Sequence, residues 1–558
     1  MACLVTSLIK RVIKKNITPI WKEFKKSYIK FLGTWLDDLL IDILSNIGLF
    51  FDIESNVETQ NDQETLQRYA TNLFVDHSKD KHPIVHLEAN PDFDTMFGSI
   101  EYANTANQGV ETNFTMIKAG ALHKANGGCL IIRVEDILNN PELWEDFKIA
   151  LRDKAITIHE KYRENSPPLL DRPQPVPIPL KVQIFLVTSP SLYYQIIQQD
   201  PDFFAYFQVK AEIDPDMPIT ASNTQAYEKL LTLYAHRFFK KGITKTALKY
   251  LINRASREAS HMKRLTSHFE GFVHIIEESI AFRADHLSLD KATIQRVLDE
   301  RHQRQCRIED QTIREIKNGI IMIDTKSYRV GQINALTVLS VGDDEFGALS
   351  KISAQTYVGT DGVINIEHQT EMAGPLQQKS ALILEGYLKG TFAQDFPLCC
   401  GASLTFEQSY GGIDGDSASM AELIVILSSL AKQPIRQEIA ITGSMNQFGE
   451  SQAVGSIHTK IEGYYKICCE MGLTGSQGVI IPKSNLDNLT LRPAIQRAVN
   501  AKKFHIYSVD NVVQAMNILM TPLEELNIVQ KYYQTTVFRK IYNKLKGYHQ
   551  ILKPQFIS

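Results

Sequence analysis

No stretch of these 558 residues reads GxxxxGKS or GxxxxGKT, the glycine-rich loop whose backbone N–H groups and lysine hold nucleotide phosphates. The nearest candidate, KKGITKT at 240–246, lacks the first glycine and the length, and reads as a loop between helices. No run approaches the ~18 apolar residues that a membrane span needs. Residues 1–30 carry eight basic side chains against one acidic, Glu23, but Lys10, Arg11, Lys14 and Lys15 break up the apolar positions. No signal-peptide core or small-residue cleavage site follows, so the expected location is the cytoplasm. The seven cysteines (Cys3, Cys129, Cys306, Cys399, Cys400, Cys468 and Cys469) make no CxxC pair, no zinc spacing and no disulfide framework, which fits a reducing compartment. A net charge of −3 gives no general attraction for nucleic acid. No internal repeat, low-complexity segment, metal site or cofactor motif is legible.

What is present is an ordinary globular composition, 44% apolar and 22% charged, in a chain long enough for about two to four domains. Residues 1–53 read as helices: Leu4, Leu8 and Val12 recur at helical spacing, Pro19 starts a second helix, and Trp35 to Phe51 continue the pattern. The basic N-terminal face reads as the solvated side of a helical domain rather than a membrane-surface anchor. Residues 54–65 are polar and aperiodic, a loop. Within 66–215, Tyr69 to Val75, Pro83 to Leu87, Cys129 to Val134 and Val182 to Thr188 are strand-like, and the Pro-rich stretch 166–180 is a connector. Residues 225–310 read as helices, most clearly Tyr227–Phe239, Thr246–His261 and Lys291–Gln305. After about Gly319 strands and helices alternate.

Chemistry concentrates in Phe406 to Glu422, FEQSYGGIDGDSASMAE. Ser417 follows Gly411, Gly412 and Gly415, which are expected to supply dihedrals that a side chain would forbid. Ahead of it Ala402 to Glu407 alternates like a strand, and behind it Ala418 to Leu430 reads as an apolar helix. A hydroxyl at that junction lies near the free N–H groups of a first helical turn. It can attack a carbonyl and leave the oxyanion beside backbone donors, of which the N–H of Ser417 or a neighbour is the expected one. The same position also suits a plain helix cap, by Asp416 or Ser417.

Lys460, 43 positions later in AVGSIHTKIEG, follows Ala453, Val454 and Ile457 and precedes Ile461, so it can sit on an apolar helical face. To accept a proton near neutral pH its pKa must fall about three units from ~10.4, on the order of 4 kcal/mol, and desolvation is the lever. The alternative is an ordinary surface lysine. His458 is two residues away and points to another face of the helix, which leaves it a minor helper.

FEQSYGGIDGDSASMAE, ITGSMNQFGESQAVGSIHTKIEG and GLTGSQGVIIPKSNL together resemble the proteolytic domain of the Lon family of serine–lysine peptidases, from about Gly331 to Met520. The bacterial Lon-like branch with an atypical AAA+ portion is the nearest in pattern. The resemblance implies Ser417 as nucleophile, Lys460 as general base and Thr442, in EIAITGS, as a neighbour hydrogen-bonding the lysine. GALHKANGGCLIIRVEDIL, VQIFLVTSPSLYYQI, FGSIEY at 97–102 and SREASHMKRLT at 256–266 resemble the ATPase core of that branch.

The ATPase part departs from the pattern. The phosphate loop is missing. Aligned on Gly127 and Gly128, the position of the Mg²⁺-holding carboxylate is Arg133, with Glu135 and Asp136 two or three residues late. DFFAYFQV at 202–209, with Lys210 next, offers no arginine finger, and the N-terminal part of the family's ATPase module is expected to be absent.

The implied fold class is a multidomain α/β (α+β) chain whose protease domain is ribosomal-protein-S5-domain-2-like. The expected domains are an N-terminal helical region 1–65, a degenerate AAA+-like α/β domain 66–220, a helical lid 221–318, a Lon proteolytic domain 319–525 and a C-terminal helical tail 526–558. The implied activity is a Ser–Lys endopeptidase for unfolded or loosely folded polypeptides, without ATP hydrolysis, cofactor, metal, specific nucleic acid or membrane span, in a homo-hexameric ring. The alternatives are a catalytically silent Lon-like scaffold or regulatory subunit, and a nucleic-acid-binding protein suggested by the basic N-terminus.

Overall fold

The computed structural model describes residues 35–46, 69–78, 82–104, 110–158, 175–283, 287–342, 344–520 and 530–553, with isolated positions before 35. The helices expected before residue 35, the loop 54–65 and most of the Pro-rich connector lie outside the described residues. The chain divides into two compact units, Met1–Ala211 and Glu212–Ser558.

The first unit has helix α1 (Trp35–Ser45) and a parallel three-stranded sheet, in the order β1 (Val85–Glu88), β2 (Cys129–Arg133), β3 (Gln183–Val187). Leu130 and Ile132 alternate into a core with Leu143, Trp144 and Phe147 of α2 (Pro141–Asp153). Tyr69 to Val75 is not a strand. The side chain of Asn72 donates to the carbonyls of Phe114 and Ile117 at 2.8 and 2.9 Å, so side-chain bonds anchor this stretch in place of a ladder.

The second unit begins with helices α3 (Ala221–Phe238), α4 (Lys245–Glu258), α5 (Lys291–Gln305) and α6 (Arg307–Lys317). Tyr227, Leu231, Leu251, Phe272 and Ile294 form the core of this helical part. KKGITKT joins α3 to α4, as a loop between helices should.

A seven-stranded mixed sheet follows. Its strands in chain order are β4 (Gln332–Val341), β5 (Asp344–Val358), β6 (Gly362–Asn365), β7 (Cys400–Phe406), β8 (Ile439–Ile441), β9 (Gly478–Pro482) and β10 (His505–Val509). Their spatial order is β6-β7-β5-β4-β8-β9-β10. Period-two alternation splits the buried side chains between two faces. Ile333, Ile352, Ile439 and Ile441 point into one core with helices α7 (Pro375–Phe392), α8 (Ser419–Ala431), α10 (Val512–Met520) and α11 (Gln530–Leu552). Leu336, Leu349, Ala440 and Val479 point into another with α9 (Ile457–Met471) and with Ile313 and Ile316 of α6.

Helix α8 is buried from Ser419 to Leu430, the all-round apolar character of a core helix. Helix α11 packs Val537, Ile541 and Leu545 into the same core, so this helix is structural to the seven-stranded sheet.

Both α8 and α9 pack on β5, from opposite faces of the sheet. The α9 contact is backbone against backbone. A Cβ on Gly463 would lie 2.1 Å from the Gly347 carbonyl oxygen, and one on Gly347 would lie 2.2 Å from that of Thr459. Two helices on opposite faces can bring their N-termini together only around the end of a strand, and here that strand is β8.

Candidate active site

The loop that leads to Ser417 is tied down before it reaches that residue. Gly374 N–H donates to the Ile413 carbonyl and Ile413 N–H to that of Met372, both at 2.8 Å. Asp414 Oδ1 accepts from the N–H groups of Leu376 and Gln377 at the start of α7, and from Gly415 N–H at 2.9 Å. Gly415 has φ of 125°, where a side chain is strained, while Gly411 and Gly412 do not adopt positive φ. Only one of the three glycines anticipated for its dihedral freedom uses it.

Ser417 sits two residues before α8. The helix N-cap is Ala418, without a side-chain cap, and the Asp416 carboxylate accepts from Ser444 Oγ at 2.7 Å, so neither Ser417 nor Asp416 acts as the anticipated side-chain cap. The Ser417 carbonyl accepts from Gly443 N–H at 2.8 Å and Thr442 Oγ1 at 3.1 Å. Ser419 N–H is taken by the Asp416 carbonyl and Met420 N–H by that of Gly443. Among the described residues, no acceptor engages the N–H of Ser417 or Ala418.

Thr442 follows β8 directly and is fully buried. Lys460 lies in the first turns of α9, and its amine is 3.0 Å from Ser417 Oγ and 3.2 Å from Thr442 Oγ1. The turn into α9 places Ser456, rather than Gly455, in the left-handed region (φ 52°). Asn485 holds that turn: its side chain accepts from Val454 N–H and donates to Val454 C=O, both at 2.9 Å. Asn485 escaped the sequence reading, because nothing local in KSNLDN marks a buried clamp.

Lys460 is 5% exposed, and Ser417 is half-buried. Burial drives the lysine pKa down to about 8, against the pull of the Asp416 and Glu345 carboxylates. Thr442 has one hydroxyl proton and spends it on the Ser417 carbonyl, so its oxygen accepts a lysine N–H. A neutral amine held that way can turn its lone pair toward Ser417 Oγ. His458 is elsewhere. Its Nδ1 is buried without a partner, and the charges that act on it are Arg257, Glu462, Glu345 and Arg492.

In the first unit Arg133 ends β2, exposed, with its Nε 3.8 Å from Asp136. Glu135 lies in the following helical turn and accepts from Thr188 Oγ1 at 3.2 Å. No cluster of His, Cys, Asp or Glu that could hold a metal occurs among the described residues, and no described helix is long and apolar enough to cross a membrane.

Three family descriptions match the chain: a LonB-like AAA domain over residues 80–214, an archaeal LonB AAA+ ATPase lid domain over 242–304 and a Lon protease C-terminal proteolytic domain over 411–521. A Lon protease homolog of Escherichia coli (strain K12) is 33% identical over 412 residues, covering 72% of this chain and 68% of the relative. One from Haemophilus influenzae is 30% identical, covering 72% and 66%. An archaeal Lon protease of Archaeoglobus fulgidus is 26% identical, covering 71% and 62%. The chain thus matches about two thirds of the length of these relatives.

Proposed function

The chain belongs to the Lon protease family, and on that premise we propose that it is a serine endopeptidase in which Ser417 is the nucleophile and Lys460 the general base. The observation that carries this is a buried amine 3.0 Å from a hydroxyl at the mouth of a helix. At pH 7.5 a lysine with a pKa of about 8 is roughly one quarter neutral, against about 0.1% for an unperturbed one.

The cycle is two acyl transfers. Ser417 Oγ attacks the scissile carbonyl carbon as Lys460 takes its proton. The oxyanion forms beside the N–H groups of Ser417 and Ala418. Collapse expels the amine, which receives the proton from Lys460, and leaves an acyl ester on Ser417. Water then attacks the ester with Lys460 again as base, releasing the carboxylate product and restoring the hydroxyl. Thr442 orients the amine throughout.

The substrates we propose are unfolded or loosely folded polypeptides, cleaved in the cytoplasm by a homo-hexamer without ATP hydrolysis. Missing phosphate-loop chemistry and the cation at position 133 support the last point. The loops that precede Ser417 and Lys460 in sequence expose Tyr410 (87%) and Phe448 (83%), apolar surface suited to an extended chain.

The test is incubation of the purified protein with casein without nucleotide. The wild type is expected to cleave, while Ser417→Ala and Lys460→Ala each lose roughly a thousandfold or more. A folded wild type that cleaves nothing would sink the proposal in favour of a silent scaffold.

A further inference from the structure

The helix that carries Lys460 presents a second functional face. Glu462, Lys466 and Glu470 recur every four residues, a single stripe of alternating charge. Each meets an opposite charge from the lid. Arg257 of α4 makes a two-pronged pair with both oxygens of Glu462, and donates to the Thr490 carbonyl at 3.0 Å. Lys466 pairs with Glu309 and Asp310 of α6 at 2.8 and 2.9 Å. Lys317 of α6 pairs with Glu470 at 3.1 Å.

The rungs differ in exposure. Arg257 and Glu462 are 21% and 12% exposed, whereas Lys317 and Glu470 are 56% and 48%. The first rung is therefore the strongest and the last contributes least. Below the ladder, Ile313 and Ile316 of α6 share a core with Ile457, Ile461 and Ile467 of α9.

At about 100° per residue, position 462 lies about 200° around the helix from position 460. Position 466 lies at about 240°, so the first two rungs are on the back of α9 relative to the amine. The ladder touches neither Ser417 nor Lys460, and can act on them only by fixing how α9 is rotated and how deeply it is seated. The sheet side gives no slack, because Gly463 already rests on Gly347.

We infer that Arg257 is a positioning residue for the base: with Glu462 it forms the leading rung of a three-rung ionic ladder by which the lid sets the rotation of α9 and so holds the Lys460 amine dry and against Ser417. This rests on Lys460 being the base. It extends that reading by making the lid part of the proteolytic apparatus. A register of alternating signs also specifies one alignment, since a slip of one rung sets like charges opposite each other.

The test uses the full chain. Competitive acylation of the Lys460 amine across pH, read by mass spectrometry, gives its pKa without substrate; casein cleavage gives kcat and KM. Arg257→Met and Lys466→Met are expected to raise the amine pKa by about one unit, tenfold in proton affinity, as water reaches it. They should also lower kcat roughly tenfold at neutral pH with KM within about twofold. Arg257→Lys keeps the charge but not the fork, and should fall between. Lys317→Glu, a change at an exposed position, should shift the amine the same way by less. Arg492→Met is the control. Arg492 also pairs with Glu462, at 3.0 Å, from outside the lid, so its loss should leave amine pKa and kcat unchanged.

An unmoved amine in the folded Arg257 and Lys466 variants would overturn the ladder. So would an Arg492→Met shift as large as that of Arg257→Met, because local charge would then be the cause. A wild type that cleaves nothing defeats the catalytic reading instead, and the acylation arm still decides the ladder.

Discussion

Lys460 sits between two opposing influences. Desolvation removes its proton, while Asp416 and Glu345 favour the charged form. Asp416 therefore works against the neutral amine while its contact with Ser444 steadies the loop. Replacing it by Asn keeps a hydrogen-bond acceptor and removes the charge. The acid limb of kcat/KM should then move to lower pH by roughly half a unit; a shift to higher pH would show that the carboxylate's effect on loop geometry outweighs its field. At this scale much was legible in the sequence. Ser417, Lys460 and Thr442 stand in recognisable patterns, and the three side chains meet in space. Legibility ended where a role depends on a distant partner. Arg257 and Glu462 are 205 positions apart, and no local periodicity connects them. Asn485 and Ser456 also escaped, since a clamp and a left-handed turn leave no apolar pattern.

Helix α8 carries a second buried group. Glu422, one turn into the helix, is fully buried and accepts from Gln377 and Ser380 of α7. Burial raises its pKa to about 7, the two donors oppose this, and the Glu367 carboxylate adds to it. Because the folded pKa exceeds the unfolded value of 4.5, the native state binds the extra proton between those limits. The stability linked to this group is present below pH ~4.5 and is lost as pH rises through about 7. Glu422→Gln removes the titration. Its melting temperature should match the wild type near pH 5 and exceed it at pH 9, with a gain of at most on the order of 3 kcal/mol. Equal melting at pH 9 would mean the carboxylate finds compensation when charged. Elements were easier to foresee than their contacts. Three lid helices fell close to their expected spans, and CLIIRV became β2. Tyr69 to Val75 misled, because its apolar residues mimic a strand while a side-chain anchor does the work of a ladder.

For the whole chain, an AAA-like domain accompanies a Lon-type proteolytic domain, and Arg257, within the lid match, pairs with Glu462 of α9. The fold class follows the sequence expectation, since α/β alternation and helical periodicity are legible without any nucleotide-binding motif. ATP with Mg²⁺ should change neither the cleavage rate nor the melting temperature of the full chain. A nucleotide-dependent rise in melting temperature would reveal binding, because a ligand that favours the native state stabilises it by mass action. The Gly347–Gly463 contact has a consequence for such a molecule. A methyl there, as in Gly463→Ala, should prise α9 from the strand and lower activity with a smaller change in melting temperature, measurable side by side. With backbone already against backbone at Gly347 and Gly463, α9 has no inward travel left there, and a displacement along the sheet normal can only carry it outward. Hydration favours the charged form of the amine. On the mechanism proposed above, a jostled molecule would then idle with its base protonated.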